Sequence, residues 1–200
     1  MKKTKKLVIA TVMLLSLSLG TFVLQTDAAT RTYKVSSGDT YWKIAVKYGV
    51  SARDLIKMNK KVGKIIHPRQ KLLLPNSTIS KADKELIARL VHAEAESESY
   101  AGKVAVATVI LNRVASPKFP NTVKGVIYQK SNGHYAFTPV QNKTINKRAD
   151  ASSRKAVNEA LAFRGQGKGS LFFFNPKTSS SNWIFSRKTT VKIGNHNFAK

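Results

Sequence analysis

The sequence predicts an α+β protein in two parts, on three observations. Apolar residues recur at helical spacing through the middle of the chain, short β-prone runs separated by Asn, Pro, Ser and Gly close it, and a strand, helix, helix, strand pattern over residues 32–75 precedes both. Helices first and strands last imply that helices and sheet segregate, with a short antiparallel sheet at the end, rather than alternating around a parallel sheet. Two hundred residues hold one large or two small domains, and an apolar fraction of 42% is that of a folded chain. There is no Cys, so disulfides, thiolate nucleophiles and Cys-ligated zinc are excluded and stability rests on packing.

At the N-terminus, Lys2, Lys3, Lys5 and Lys6 precede an uncharged stretch over residues 7–24, and Ala28 and Ala29 follow. This is the order of a secretory signal peptide spanning residues 1–29. The uncharged stretch also reaches the length of a spanning helix, so a retained anchor is the rival reading. Ser16, Ser18, Gly20 and Thr21 interrupt it and favour cleavage, with no stable membrane insertion afterwards. Cleavage removes four Lys and one Asp from a chain of net charge +25 and leaves 31 basic against 9 acidic residues, or +22. A secreted chain this basic suits a matrix of anionic wall polymers. Nucleic acid is disfavoured by that location and by the lack of a recognition-helix, RNP-like or zinc-finger pattern.

The β-prone run at 32–35 is broken by Ser36-Ser37-Gly38-Asp39-Thr40, where Asp39 or Thr40 can cap a helix. Trp42, Ala45 and Tyr48 then recur at helical spacing and read as core, until Gly49 supplies the left-handed residue that ends the helix. Ser51 with Asp54 makes a capping box for a second helix, whose apolar side is Leu55, Ile56 and Met58. Leu72, Leu73 and Leu74 before Pro75 form a closing strand, and the polar stretch 76–79 is a linker.

Tyr33-Lys-Val-Ser-Ser-Gly-Asp-Thr-Tyr-Trp-Lys-Ile-Ala, Tyr48-Gly-Val-Ser, Leu55, Asn59 and the ending between Pro68 and Pro75 resemble a LysM module across the whole segment. The resemblance implies a shallow groove for glycans containing N-acetylglucosamine, with Gly38, Asp39, Thr40 and Tyr41 on one side and residues 59–67 on the other. Tyr41 stands where the family often has Leu, and Arg69 stands where Gly usually follows Pro68. Arg69 must then enter a turn that Gly adopts at less steric cost.

The second part, residues 80–200, opens with Ser80 and Asp83, another capping box, and a helix whose apolar stripe is Leu86, Ile87, Leu90 and Val91. At about 100° per residue from Leu86, the stripe centres at about 70°, Glu94 falls in its middle at about 80°, and Glu98 lies on its edge at about 120°. Glu96, at about 280°, and His92, at about 240°, face away and read as solvated. A carboxyl on an apolar face is desolvated, which favours its neutral form and raises its pKa, as a general acid near neutral pH requires. The bland alternative is an ion pair from Glu94 to a neighbour such as Arg113 that staples two helices.

Residues 104–114 are apolar almost throughout and read as a helix buried on most sides. A turn at 116–121, a short helix at 122–129 and a loop at 131–139 carrying His134, Phe137 and Thr138 follow. Residues 154–163 form an amphipathic helix on Ala156, Val157, Ala160 and Leu161, ended by Gly165, Gly167 and Gly169. The β-prone runs are 171–174, 183–185 and 189–193.

Assembled, Ala88-Arg-Leu-Val-His-Ala-Glu-Ala, Glu98, Gly102-Lys-Val-Ala-Val-Ala, Leu111-Asn-Arg-Val, Phe119-Pro-Asn-Thr, Gly125-Val-Ile-Tyr-Gln, Phe137-Thr-Pro-Val, Phe174-Asn-Pro and Ile193-Gly-Asn-His-Asn-Phe resemble cell wall hydrolases of the spore cortex-lytic type. The resemblance runs from about residue 84 to 198. It implies a lysozyme-like domain, an enzyme that cuts peptidoglycan glycan strands at the cell wall, the spore included, and one essential Glu, which falls on Glu94 as the helix arithmetic does independently. On the same matching motifs, Glu98, Phe137, Thr138 and Asn175 are the candidates for substrate binding, with no cofactor and no metal. Family members usually read Glu-Ala-Arg-Gly-Glu where this chain has Glu94-Ala95-Glu96-Ser97-Glu98. For His196, holding a loop and taking part in catalysis both stay open.

Glycoside hydrolysis commonly uses two carboxyls on opposite sides of the scissile bond, and downstream of Glu98 only Asp150 and Glu159 exist. Glu98 is one turn from Glu94, and Glu159 points about 130° from its own helix's apolar side. A single carboxyl suits a lytic transglycosylase, in which the 6-hydroxyl of N-acetylmuramic acid is the internal nucleophile, and the resemblance points the same way. The alternatives are a zinc-dependent N-acetylmuramoyl-L-alanine amidase and a non-catalytic wall-binding protein. The first must draw its imidazole ligands from His67, His92, His134 and His196. The second is opposed by Glu94 on the apolar face.

Overall fold

The computed structural model describes residues 31–131 and 133–200, and residues 1–29, where a signal peptide is expected, lie outside them. The first part is β1 (Thr32–Lys34), α1 (Tyr41–Tyr48), α2 (Ala52–Met58) and β2 (Lys71–Leu73). β1 and β2 pair antiparallel, Thr32 opposite Leu73 and Lys34 opposite Lys71. Thr40 Oγ1 caps α1 by accepting from Lys43 N at 3.1 Å, and Gly49, at φ 58°, ends it. Ser51 Oγ accepts from Asp54 N at 3.2 Å and starts α2. Arg69 takes the left-handed φ of 73° that its place after Pro68 calls for.

The side-chain pattern departs from expectation in two places. The buried face of α1 is Tyr41, Ile44 and Ala45, whereas Trp42 is 37% exposed and meets Phe163 edge-on at 6.4 Å. On α2, Leu55 is buried but Ile56 and Met58 are exposed, because a helix of 7 residues inserts a single narrow face. In β2, Leu72 points inward and Leu73 outward, as period two requires. The core formed by Ile44, Ala45, Leu55 and Leu72 is completed by Ala162 from the second part.

The body of the second part is three packed helices, α3 (Lys81–Glu94), α4 (Tyr100–Ala115) and, farther on, α7 (Ala151–Ala162). Ser80 Oγ accepts from Asp83 N at 3.0 Å, and Asp150 caps α7. Leu86, Ile87, Leu90 and Val91 are all buried, as are Ala156, Val157, Ala160 and Leu161. Between α4 and α7 lie α5 (Val123–Ile127), a small hairpin of β3 (Lys130–Ser131) and β4 (His134–Tyr135), and α6 (Thr138–Gln141). The chain ends with β5 (Phe172–Phe174), α8 (Asn182–Phe185), β6 (Thr189–Ile193) and β7 (His196–Ala199).

The final sheet is antiparallel in the order β5-β7-β6, with Phe173 and Val191 flanking the buried Phe198. The run at 183–185 is a helical turn and not a strand, because Trp183 and Phe185 turn back edge-on against Phe172 at 5.1 Å and Phe174 at 5.4 Å. The central strand β7 was hidden by its composition, His and Asn at its start masking the alternation.

Candidate active site

The cleft is set by where α3 stops. Its apolar stripe locks Leu90 and Val91 into the core, so Glu94, the last helical residue, comes out beside the point where the packed helices part. Glu94, Glu96 and His92 line a cleft of about 240 Å³ closed on the other side by Thr138, Pro139 and Asn142 of the α6 segment, with Thr144 and Lys147 at its rim. Glu94 is partly buried. Burial pushes its carboxyl up to about 7, against the opposing pull of the Arg113 guanidinium.

Arg113 does not staple Glu94. Among the described residues no ion pair within 4.0 Å joins the two. Arg113 Nε donates to Leu171 O at 2.7 Å, and the guanidinium stacks over Phe119, Phe137 and Phe172 at 5.0, 5.1 and 5.5 Å. It is 8% exposed, and burial lowers its own pKa to about 10 although Glu94 pulls upward. The arginine thus ties α4 to the final sheet and reaches the acid only through its field.

Of the substrate-binding candidates, only Thr138 stands in the cleft with Glu94. Phe137 is 3% exposed, clamped between Arg113 and the stacked ring of Phe173 at 6.4 Å, and forms the support under Thr138 instead of a surface for substrate. Glu98 is drawn elsewhere because α3 ends at Glu94, so helical angles do not extend to it. Its Oε1 lies 3.1 Å from His196 Nδ1, with side-chain exposures of 10% and 17%. A Cβ on Gly194, whose φ is 56°, would fall 2.5 Å from Glu98 Oε2, so the acid fits against the bare β6–β7 turn and holds it. Asn175 follows β5 and spends its Oδ1 on Lys177 N at 3.0 Å, away from the cleft lining.

In the first part, Asp39 Oδ2 accepts from Tyr33 OH at 2.6 Å and Ser36 N at 2.8 Å, and Thr40 is the cap. Tyr41 is buried and donates to Gly63 O at 3.0 Å, linking the two loops. Asp39, Thr40 and Tyr41 therefore shape the loop at Gly38 with side chains already engaged.

His92 is the residue the angles misplaced. It lines the cleft with a side chain 19% exposed, its Nδ1 3.6 Å from Asp150 Oδ2 and its Nε2 4.0 Å from Glu96 Oε1. Treated alone, its face of α3 points to solvent, but the start of α7 packs over that face. Asp150 accepts from Ser153 N at 2.6 Å and from the Lys103 ammonium at 3.1 Å. Ser153 first, then Lys103, hold its carboxylate well below the ordinary range. Glu159 accepts from Tyr100 OH at 2.7 Å. The rim residues Asn142, Thr144 and Lys147 carried no pattern that sequence reasoning could use. Among the described residues no group of three or more His, Asp or Glu is placed to hold a metal ion.

One acid poised near neutrality in a polar-rimmed cleft is equipped to give and take back a proton. A family model described as Cell Wall Hydrolase matches residues 97–199, more than half of the chain. The chain belongs to the cell wall hydrolase family. The matched span of this cell wall hydrolase begins just after Glu94, and a LysM domain model matches residues 33–75. A spore cortex-lytic enzyme of Halalkalibacterium halodurans is 44% identical over 116 residues, 58% of this chain and 34% of the relative. One of Bacillus cereus is 42% identical over 127 residues, 64% of this chain and 47% of the relative. The cell wall hydrolase chain thus spans a third to a half of the length of these curated relatives. The solved catalytic domain of the germination-specific lytic transglycosylase SleB from Bacillus anthracis superposes with a TM-score of 0.57 at 42% identity, over 64% of this chain and 100% of that one.

Proposed function

We propose that this chain cleaves the glycan strands of peptidoglycan between N-acetylmuramic acid and N-acetylglucosamine as a lytic transglycosylase, with Glu94 as its catalytic acid and base. The observation that carries this reading is the Glu94 carboxyl, raised to about 7 by burial within a cleft. The other acids are placed for other work: Glu98 on His196, Asp150 on Ser153 and Lys103, Glu159 on Tyr100. Glu96, the other carboxylate of the cleft, comes from the same helix end and is 74% exposed, unsuited to reach the opposite face of a bound sugar.

In the reaction, protonated Glu94 donates to the glycosidic oxygen as the C1–O bond breaks. The 6-hydroxyl of the same N-acetylmuramic acid then bonds to C1, and its proton returns to the Glu94 carboxylate. The acid is regenerated, no water is consumed, and a 1,6-anhydro end forms. Residues 1–29 direct secretion, 32–75 bind N-acetylglucosamine-containing glycan as a LysM module joined through 76–79 to the hydrolase domain at 80–200, and the excess of 35 Lys and Arg over 10 Asp and Glu favours retention among anionic wall polymers. The names of the relatives and of the solved catalytic domain support the substrate class.

Glu94→Gln preserves shape but can neither donate nor accept the catalytic proton, so turnover of purified sacculi should fall by about 10² to 10⁴. Glu96→Gln should cost far less. Wild-type turnover by Glu94→Gln would refute the assignment.

A further inference from the structure

His92 is held in the cleft by contacts that stop short of hydrogen bonds. Its Nδ1 is buried without a partner, yet Asp150 Oδ2 lies 3.6 Å away, about half an ångström beyond hydrogen-bond reach. A buried donor left unpaired is costly, and side chains that act on a ligand are often found loosely paired before it binds. Asp150 itself cannot follow substrate, because Ser153 N and the buried Lys103 fix its carboxylate. The imidazole is therefore the movable partner. A small rotation closes the Nδ1–H bond to Asp150, which sets the tautomer and leaves Nε2 an acceptor. That nitrogen faces Glu96, across the cleft wall that both share with Glu94.

We propose that His92 is a substrate-binding residue, its Nε2 accepting a hydrogen bond from a hydroxyl of the sugar bound against Glu94 while Asp150 holds Nδ1–H. This rests on reading the cleft as a glycan site. A carbohydrate is the ligand class such an acceptor suits, since a glycan strand offers hydroxyl donors along its length and its rings carry no charge that a neighbouring Glu94 and Glu96 would repel.

The test uses the full chain. His92→Ala and His92→Asn should raise the half-saturating concentration of solubilised glycan strands about tenfold with little change in the maximal rate, the loss of one ordinary hydrogen bond. His92→Gln, whose amide reaches the position of Nε2, should restore most of the affinity, whereas Asn can imitate only Nδ1. Retention by Asn with loss in Gln would make His92 a positioning residue for Asp150 and overturn the proposal, as would wild-type behaviour of all three. Nitrogen-15 NMR of His92 in the Glu94→Gln protein gives a readout without turnover. The Nδ1–H tautomer, with an Nε2 shift on adding glycan strands, is expected, and an Nε2–H tautomer or an unmoved resonance contradicts it. Failure of the glycan-cleaving reading shows separately, as free stem peptides in place of cut glycan strands from the wild-type protein.

Discussion

Two opposing influences meet on the Glu94 proton. Burial disfavours the carboxylate and Arg113 favours it, and burial wins because the guanidinium is engaged by Leu171 O and three aromatic rings. In the proposed reaction the proton for the leaving group is then present below about pH 7 and absent above it. Activity should fall as pH rises through about 7, a descending limb that a pH–rate profile on sacculi will show. Stability carries the same sign. The folded-state pKa lies above the ordinary 4.5, so the folded chain binds the proton more tightly, and stability present below 4.5 is lost as pH rises to about 7. Glu94→Gln removes that titration. Denaturation midpoints at pH 5 and pH 8 should show the wild type losing ground to Glu94→Gln at the higher pH, and a constant difference would deny the raised pKa.

At the scale of elements, caps and stripes were readable because they are local. Ser51, Ser80 and Thr40 mark helix starts through bonds spanning three residues, and Leu86, Ile87, Leu90 and Val91 mark one face of α3. The place of Glu94 on α3 was readable for the same reason, since it follows that face at the helix end. The rest depended on long-range partners. His92 changed role because α7 covers it, Glu98 because the helix ended before it, and Phe137 because Arg113 and Phe173 enclose it. Trp42 left its expected core for Phe163, and β7 emerged as a strand only through pairing with β5 and β6. Arg69 was legible as strain. Its left-handed φ of 73° costs a non-glycine residue about 1 kcal/mol, and its N–H bond to Val35 O at 2.8 Å survives in glycine. Arg69→Gly should therefore stabilise the chain by up to about 0.5 kcal/mol after the added freedom of the unfolded state is subtracted. A urea midpoint that falls would contradict this.

Over the whole molecule, the two parts share surface. Ala162 of α7 completes the first core, and Lys84 Nζ and Ser77 Oγ donate to Gly49 O at 3.0 and 3.2 Å. A Cβ on Gly49 would fall 2.5 Å from Asn158 Oδ1. The LysM part and the hydrolase-family part should accordingly unfold in one transition, with Trp42→Ala and Phe163→Ala coupled by about 0.5–1.5 kcal/mol in a double-mutant cycle. Two separate transitions with additive mutants would show a tether instead. In the proposed reaction a new bond to C1 forms as the strand is cut, and mass spectrometry of the products released from purified sacculi reads that bond directly. Ends carrying 1,6-anhydro-N-acetylmuramic acid, lost in Glu94→Gln, are the predicted result. Reducing N-acetylmuramic acid ends would show water as the nucleophile, and free stem peptides would place the cut outside the glycan strand altogether.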